Sequence, residues 1–97
     1  MNKIQQSIQR NLFLILEESE NLQGWGNSKK QLSKTFTFDD FKHSMKFVNN
    51  VARIAEKQNH HPDITVNYNK VKLTISDHEK GRVSEKCIKF VKEVDKL

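Results

Sequence analysis

The chain has 97 residues, of which 30% are charged, and a net charge of +5; that is one small domain, here expected to span 1–97, burying only about 60 to 65% of its unfolded surface. Its single cysteine, Cys87, excludes an internal disulfide and any CxxC or Cys/His zinc spacing, and a reducing compartment, the cytoplasm, is the expectation. The longest apolar run, Leu12 to Leu16, is far short of the ~20 residues that cross a bilayer and stands too deep behind a polar start for a signal peptide, while seven basic against five acidic residues before Asn49, and ten against seven from there on, leave no basic tail for direct nucleic-acid contact.

Ile4, Ile8, Leu12 and Ile15 recur at helical spacing and predict a first helix from about Lys3 to Glu20. Gly24-Trp25-Gly26 reads as loop or irregular strand. From Leu32 the period falls to two: Leu32, Lys34, Phe36 and Phe38 on one side, Ser33, Thr35 and Thr37 on the other, a strand with one odd lysine. Thr37 and Asp40 form a weak capping-box variant ahead of a second helix, whose apolar stripe is read as Phe41, Met45, Val48, Ala52 and Ala55, flanked by Ser44 and Val51. Pro62 disfavours helical backbone at His61, so this helix should end near Asn59.

Ile64, Val66 and Tyr68 alternate with polar residues, as do Val71, Leu73 and Ile75. With Asn69-Lys70 as a two-residue loop, Tyr68 faces Val71, Val66 faces Leu73 and Ile64 faces Ile75, placing six apolar side chains on one face. Ser84 can cap a last helix that buries Cys87, Val91 and Val94, with Ile88 beside them. Helix, strand, helix, hairpin, helix is an α+β order: an antiparallel sheet of about four strands with helices packed on one face.

Three of the four histidines fall at element ends, His60 and His61 after the long helix and His78 after the hairpin. Such junctions can face a cleft while rigid elements hold them, although an adjacent histidine pair before a proline is also what an ordinary exposed junction contains. Glu56-Lys57-Gln58-Asn59-His60-His61-Pro62, then Tyr68-Asn69-Lys70-Val71, then Ser76-Asp77-His78-Glu79 follow in order, behind Gly24-Trp25 and Phe36-Thr37-Phe38-Asp39-Asp40-Phe41. In these blocks, from Gly24 nearly to the last residue, the chain resembles the pterin-4a-carbinolamine dehydratases.

The resemblance implies an enzyme of tetrahydrobiopterin recycling that converts 4a-hydroxytetrahydrobiopterin to quinonoid dihydropterin plus water, on the pathway of an aromatic amino-acid hydroxylase. It also implies a homodimer or homotetramer. Carried over by position, His60, His61 and His78 are the catalytic histidines, and Asn59, Ser76, Asp77 and Glu79 join them in binding the pterin. Imidazole, with an unperturbed pKa of about 6.5, serves as acid or base near neutrality. His60 and His78 are assigned to proton transfer and His61 to holding the pterin; Glu56 is a candidate to orient a histidine, and Trp25 a candidate pocket wall or core residue.

Three positions depart from the family pattern. Cys87 stands where an acidic residue is common, Asp77 where threonine is, and Arg82 where glycine is, with Gly81 one place earlier. Zinc held by His60, His61 and His78 is the chemical rival, but adjacent ligands are awkward and HExxH is absent, so neither metal nor organic cofactor is expected. The functional rival is a non-catalytic dimerisation module, since some members of the family partner a homeodomain transcription factor. His43 is read as a surface residue.

Overall fold

A computed structural model describes residues 22–28 and 30–97; the expected helix from Lys3 to Glu20 lies outside them. In chain order the elements are β1 (Gly26–Asn27), β2 (Leu32–Thr37), α1 (Phe41–Gln58), β3 (Asp63–Asn67), β4 (Lys70–Ile75) and α2 (Glu85–Val94). The antiparallel sheet has the order β1-β2-β4-β3, three strands of five or six residues with the two-residue β1 beyond β2. The fold is α+β.

Alternation along β4 orients the sheet. Val71, Leu73 and Ile75 are fully buried, and their cross-strand partners on β2 are Phe36, Lys34 and Leu32. The odd lysine is thereby explained: the Lys34 stem lies along the apolar face while its ammonium reaches out, 4.9 Å from the Phe36 ring centre, 5.9 Å from that of Trp25 and 3.9 Å from the Asp95 carboxylate. Trp25, 6% exposed, donates its indole N–H to Asp95 at 3.2 Å, so it is a core residue and lines no part of the histidine site.

The hairpin register differs from the expected one. Val66 pairs with Val71 and Ile64 with Leu73, and the two-residue turn is Tyr68-Asn69, with Tyr68 at φ 51. Asn69 is held against the end of β2, where its carbonyl accepts the Phe38 N–H at 2.7 Å and its amide donates to the Phe38 carbonyl at 3.2 Å. Because the shift is two residues in partner, the apolar face is kept. On the edge strand β3, however, Ile64 and Val66 remain 36% exposed.

Helix α1 starts one residue after Asp40, whose carboxylate accepts the His43 N–H at 2.9 Å; Asp40 rather than Thr37 is the cap, because its oxygen reaches the third N–H directly. The same carboxyl is held below its ordinary range by that backbone bond first and by the His43 side chain second. The buried face is Ser44, Phe47, Val51 and Ala55, rotated from the expected stripe, with Phe41 50% exposed. Phe47 sets the rotation by meeting the rings of Phe36 at 4.6 Å and Phe38 at 5.0 Å. Ser44 is buried beside it with its hydroxyl donating to the Asp40 carbonyl. Helix α2 buries Cys87, Ile88, Phe90, Val91 and Val94, which join the β4 and α1 residues in one core.

Candidate active site

Two chain reversals build the site. At the end of α1, Asn59 takes the left-handed conformation, φ 50 and ψ 45, its N–H bonding to the carbonyls of Ala55 and Glu56 while the His60 N–H bonds to Ala55. Asparagine tolerates that conformation better than most side chains. The chain therefore doubles back at once, and Pro62 carries it into β3.

At the end of β4, Asp77 and Arg82 bridge, and the turn between them is tied by Gly81 and Lys80 N–H groups on the Asp77 carbonyl at 2.7 and 3.2 Å. The Asp77 carboxylate accepts the N–H groups of Glu79 and Lys80 at 3.1 and 3.3 Å. Gly81 occupies φ 63, where a side chain is strained, so the family's displaced glycine serves a tight turn here, and Arg82 returns to the ladder. His78 rides exposed on this turn.

These reversals meet. The His60 ring reaches across to the Ser76 carbonyl, Nε2 to oxygen 2.8 Å, joining the end of α1 to the end of β4. Asn59, His60, His61, Ser76, Asp77, His78 and Glu79 line one cavity of about 210 Å³. All seven candidate residues are thus brought together. The eighth lining residue, Lys86, is one that sequence reasoning missed: on the first turn of α2 it has the pattern of any solvated lysine.

Beneath the cavity runs a buried polar column. Asp77 is 6% exposed and Ser84 3%, and Cys87 has no exposure at all. The Ser84 hydroxyl does not cap α2, although Ser84 has the N-cap backbone; it lies 3.9 Å from the Cys87 sulfur and bonds to Asp77. That bond, ahead of the Lys80 and Glu79 N–H groups and the Lys86 ammonium, holds the Asp77 carboxyl below its usual range against the opposing effect of burial. Burial pushes the Cys87 thiol up, opposed by hydrogen bonds from Ser84, so it is a neutral neighbour 4.0 Å from His60 Nε2.

The remaining candidates are placed as follows. Glu56 approaches His61, carboxylate to Nε2 3.6 Å, with both side chains mostly exposed. His43 is exposed, 2.7 Å from Asp40, and lines a different cavity of about 760 Å³ with Phe36, Phe38 and Phe47. That cavity is larger, but its one histidine is engaged with a carboxylate and no second imidazole faces it. Tyr68 sits at the hairpin tip, the opposite end of β4 from the cavity. A zinc site from the three histidines fits poorly, because His60 directs Nε2 at a carbonyl and encloses Nδ1. Among the described residues no group of three or more His, Cys, Asp or Glu side chains is placed to hold a metal, and no helix is long and apolar enough to cross a membrane.

The family model described as pterin 4 alpha carbinolamine dehydratase matches residues 5–97. The chain belongs to that family. Similar proteins include two provisionally named pterin-4-alpha-carbinolamine dehydratases. One, from Sulfurisphaera tokodaii, is 37% identical over 86% of this chain and 89% of its own length. The other, from Aquifex aeolicus, is 40% identical over 86% of this chain and 84% of its own. Among solved structures, a transcriptional coactivator/pterin dehydratase from Brucella melitensis superposes with a TM-score of 0.78 at 30% identity, over 84% of this chain and 88% of that one. A pterin dehydratase-like RuBisCO assembly factor of the alpha-carboxysome shares the fold, TM-score 0.61 at 23% identity over 74% of this chain and 83% of its own.

Proposed function

We propose that this dehydratase-family chain catalyses the dehydration of a 4a-hydroxytetrahydropterin, 4a-hydroxytetrahydrobiopterin in the first instance, to the quinonoid dihydropterin. The observation that carries the reading is the convergence of Asn59, His60 and His61 with Ser76, Asp77, His78 and Glu79 on one cavity, from segments separated by a whole hairpin. In the reaction the C4a–O bond breaks, the leaving oxygen takes a proton and departs as water, the N5–H proton goes to a base, and the C4a=N5 double bond forms. No electrons are exchanged. One imidazole gives the proton and another accepts one, and general acid-base catalysis of this kind contributes about 10²- to 10⁴-fold. The scheme needs neither metal nor organic cofactor. A reducing compartment such as the cytoplasm suits a chain with one thiol, and recycling of a hydroxylase's pterin is the role the chemistry fits.

A second reading, a non-catalytic binding module, is favoured by the name of the Brucella structure and by a cysteine at position 87. An adaptor has no chemical use for three imidazoles around a cleft. Dehydration of chemically generated 4a-hydroxytetrahydrobiopterin, followed by absorbance, separates the two. Wild type should accelerate the reaction over buffer, and His78→Ala should lose about 10²-fold or more of the acceleration. Wild type no faster than buffer would leave the binding module.

A further inference from the structure

A second cleft opens beside the histidine cavity. Arg53, Ile54, Lys57 and Gln58 of α1 and Lys89 and Glu93 of α2 line about 440 Å³ between the two helices. The end of α1 packs against the start of α2, where His60 lies 4.0 Å from the Cys87 sulfur and its ring centre 6.2 Å from that of Phe90. The cleft therefore adjoins the cavity on both walls. On α1, Gln58 of the cleft is followed directly by Asn59 of the cavity. On α2, Lys89 stands three residues after the cavity's Lys86, on the next turn of the same exposed face, about 5 Å along the axis.

The charge of this cleft is one-sided. Arg53 and Lys57, exposed and one helical turn apart, are a like-charged i,i+4 pair that works against its own helix, and Lys89 lines the same space from α2. The carboxylate on the wall, Glu93, is engaged by Lys96 at 3.2 Å. Ile54 and Gln58 are half-buried between the helices, so an aliphatic surface and an amide accompany the cations. A guanidinium fork with two ammonium groups suits the oxygens of a phosphate or a carboxylate. The histidine cavity, by contrast, sets Asp77 and Glu79 against Lys86, which steers negative charge on a ligand away from the imidazoles and toward the cleft.

We propose that the cleft is a subsite for an anionic tail, and that the preferred substrate is a 4a-hydroxypterin whose 6-substituent ends in a phosphate or a carboxylate. This rests on the dehydratase reading and narrows its substrate class. The bicyclic head lies among the histidines, and the side chain runs between α1 and α2 toward Arg53, Lys57 and Lys89. A neutral dihydroxypropyl tail keeps every contact of the head but leaves the cations unmatched, so the biopterin compound is turned over with a higher KM. A phosphate on a short side chain and a glutamate beyond a longer spacer are two sources of the same chemistry.

Calorimetry with stable 7,8-dihydro analogues tests the subsite. 7,8-Dihydrobiopterin and 7,8-dihydroneopterin carry neutral tails, 7,8-dihydroneopterin 3′-phosphate a phosphate, and 7,8-dihydrofolate a glutamate. At about 50 mM salt one of the charged ligands should bind about tenfold or more tighter than the neutral pair, and most of that advantage should vanish at about 500 mM. Whichever charged ligand leads identifies the source. The double variant Lys57→Gln, Lys89→Gln, checked by thermal melting, should erase the advantage and keep the dihydrobiopterin Kd within about twofold of wild type. Equal affinity for charged and neutral tails, or an advantage that survives the double substitution, overturns the subsite and leaves the dehydratase reading intact. Tail-dependent binding without acceleration of dehydration would sink the catalytic reading and leave the subsite standing. A wild type that binds none of these pterins removes both.

Discussion

Cys87 shows how one side chain recasts a site. An acid is common in the family at this position, and here a thiol with no exposure sits 4.0 Å from His60 Nε2, kept neutral by burial. Buried and protonated thiols are poor nucleophiles. Iodoacetamide at pH 8 should therefore alkylate Cys87 at least about 100-fold more slowly in the native protein than in urea, measured by mass; equal rates would contradict its burial. A raised thiol stabilises the fold below the ordinary thiol range, and that contribution disappears as pH climbs through the folded value. The other titratable group in the column, Asp77, has the opposite sign of linkage. Its lowered carboxyl contributes stability above about pH 4, the unfolded value, and loses it as pH falls through the lower folded value. Asp77→Asn should melt below wild type at pH 7, and the gap should close under acid; a gap independent of pH would mean that the carboxylate's charge is irrelevant to the turn.

At the scale of elements, the ends of α1 and β4 matter more than their middles. Asn59 serves both a helix end and the cavity wall, and backbone chemistry separates the two roles. Asn59→Ala should cost about 1 to 2 kcal/mol, since φ 50 crowds a Cβ, whereas Asn59→Gly should hold or raise stability. If the Asn59 amide also contacts substrate, the glycine variant will be stable yet show a raised KM. Strand alternation in β4 was readable because a two-residue period needs no partner to define it. The rotation of α1 was not: several neighbouring stripes are almost equally apolar, and only the Phe36 and Phe38 rings select the one centred on Phe47. The turn at Tyr68-Asn69 was equally hidden, because the bonds that hold it run to Phe38, 31 residues away from Asn69. For the site, spacing alone showed three histidines at element ends; family resemblance joined them, and nothing in an exposed helical lysine marked Lys86 as a wall of the cavity.

At the scale of the whole molecule, a small core carries both fold and site. Phe90 is fully buried in α2 and its ring also backs His60, so Phe90→Ala should cost about 3 to 5 kcal/mol, a large share of the ~5 to 15 kcal/mol that such domains possess. Urea denaturation checks this, and a loss below 1 kcal/mol would mean the core closes around the gap. The homodimer or homotetramer implied by resemblance is proposed for the same reason of size, and the edge of β3, unpaired among the described residues, with Ile64 and Val66 part-exposed and Tyr68 62% exposed, is a surface the chain offers. Sedimentation of wild type against Val66→Glu tests it: a wild-type monomer at micromolar concentration would exclude stable self-association. The most direct measurement of the central claim is a crystal structure with bound 7,8-dihydrobiopterin. The ring system should lie between His61 and His78 in the cavity bounded by Asn59 and Glu79, within hydrogen-bond distance of both imidazoles. A pterin seated instead in the larger cavity beside Phe36 and Phe47, with the histidine site untouched, would contradict the account.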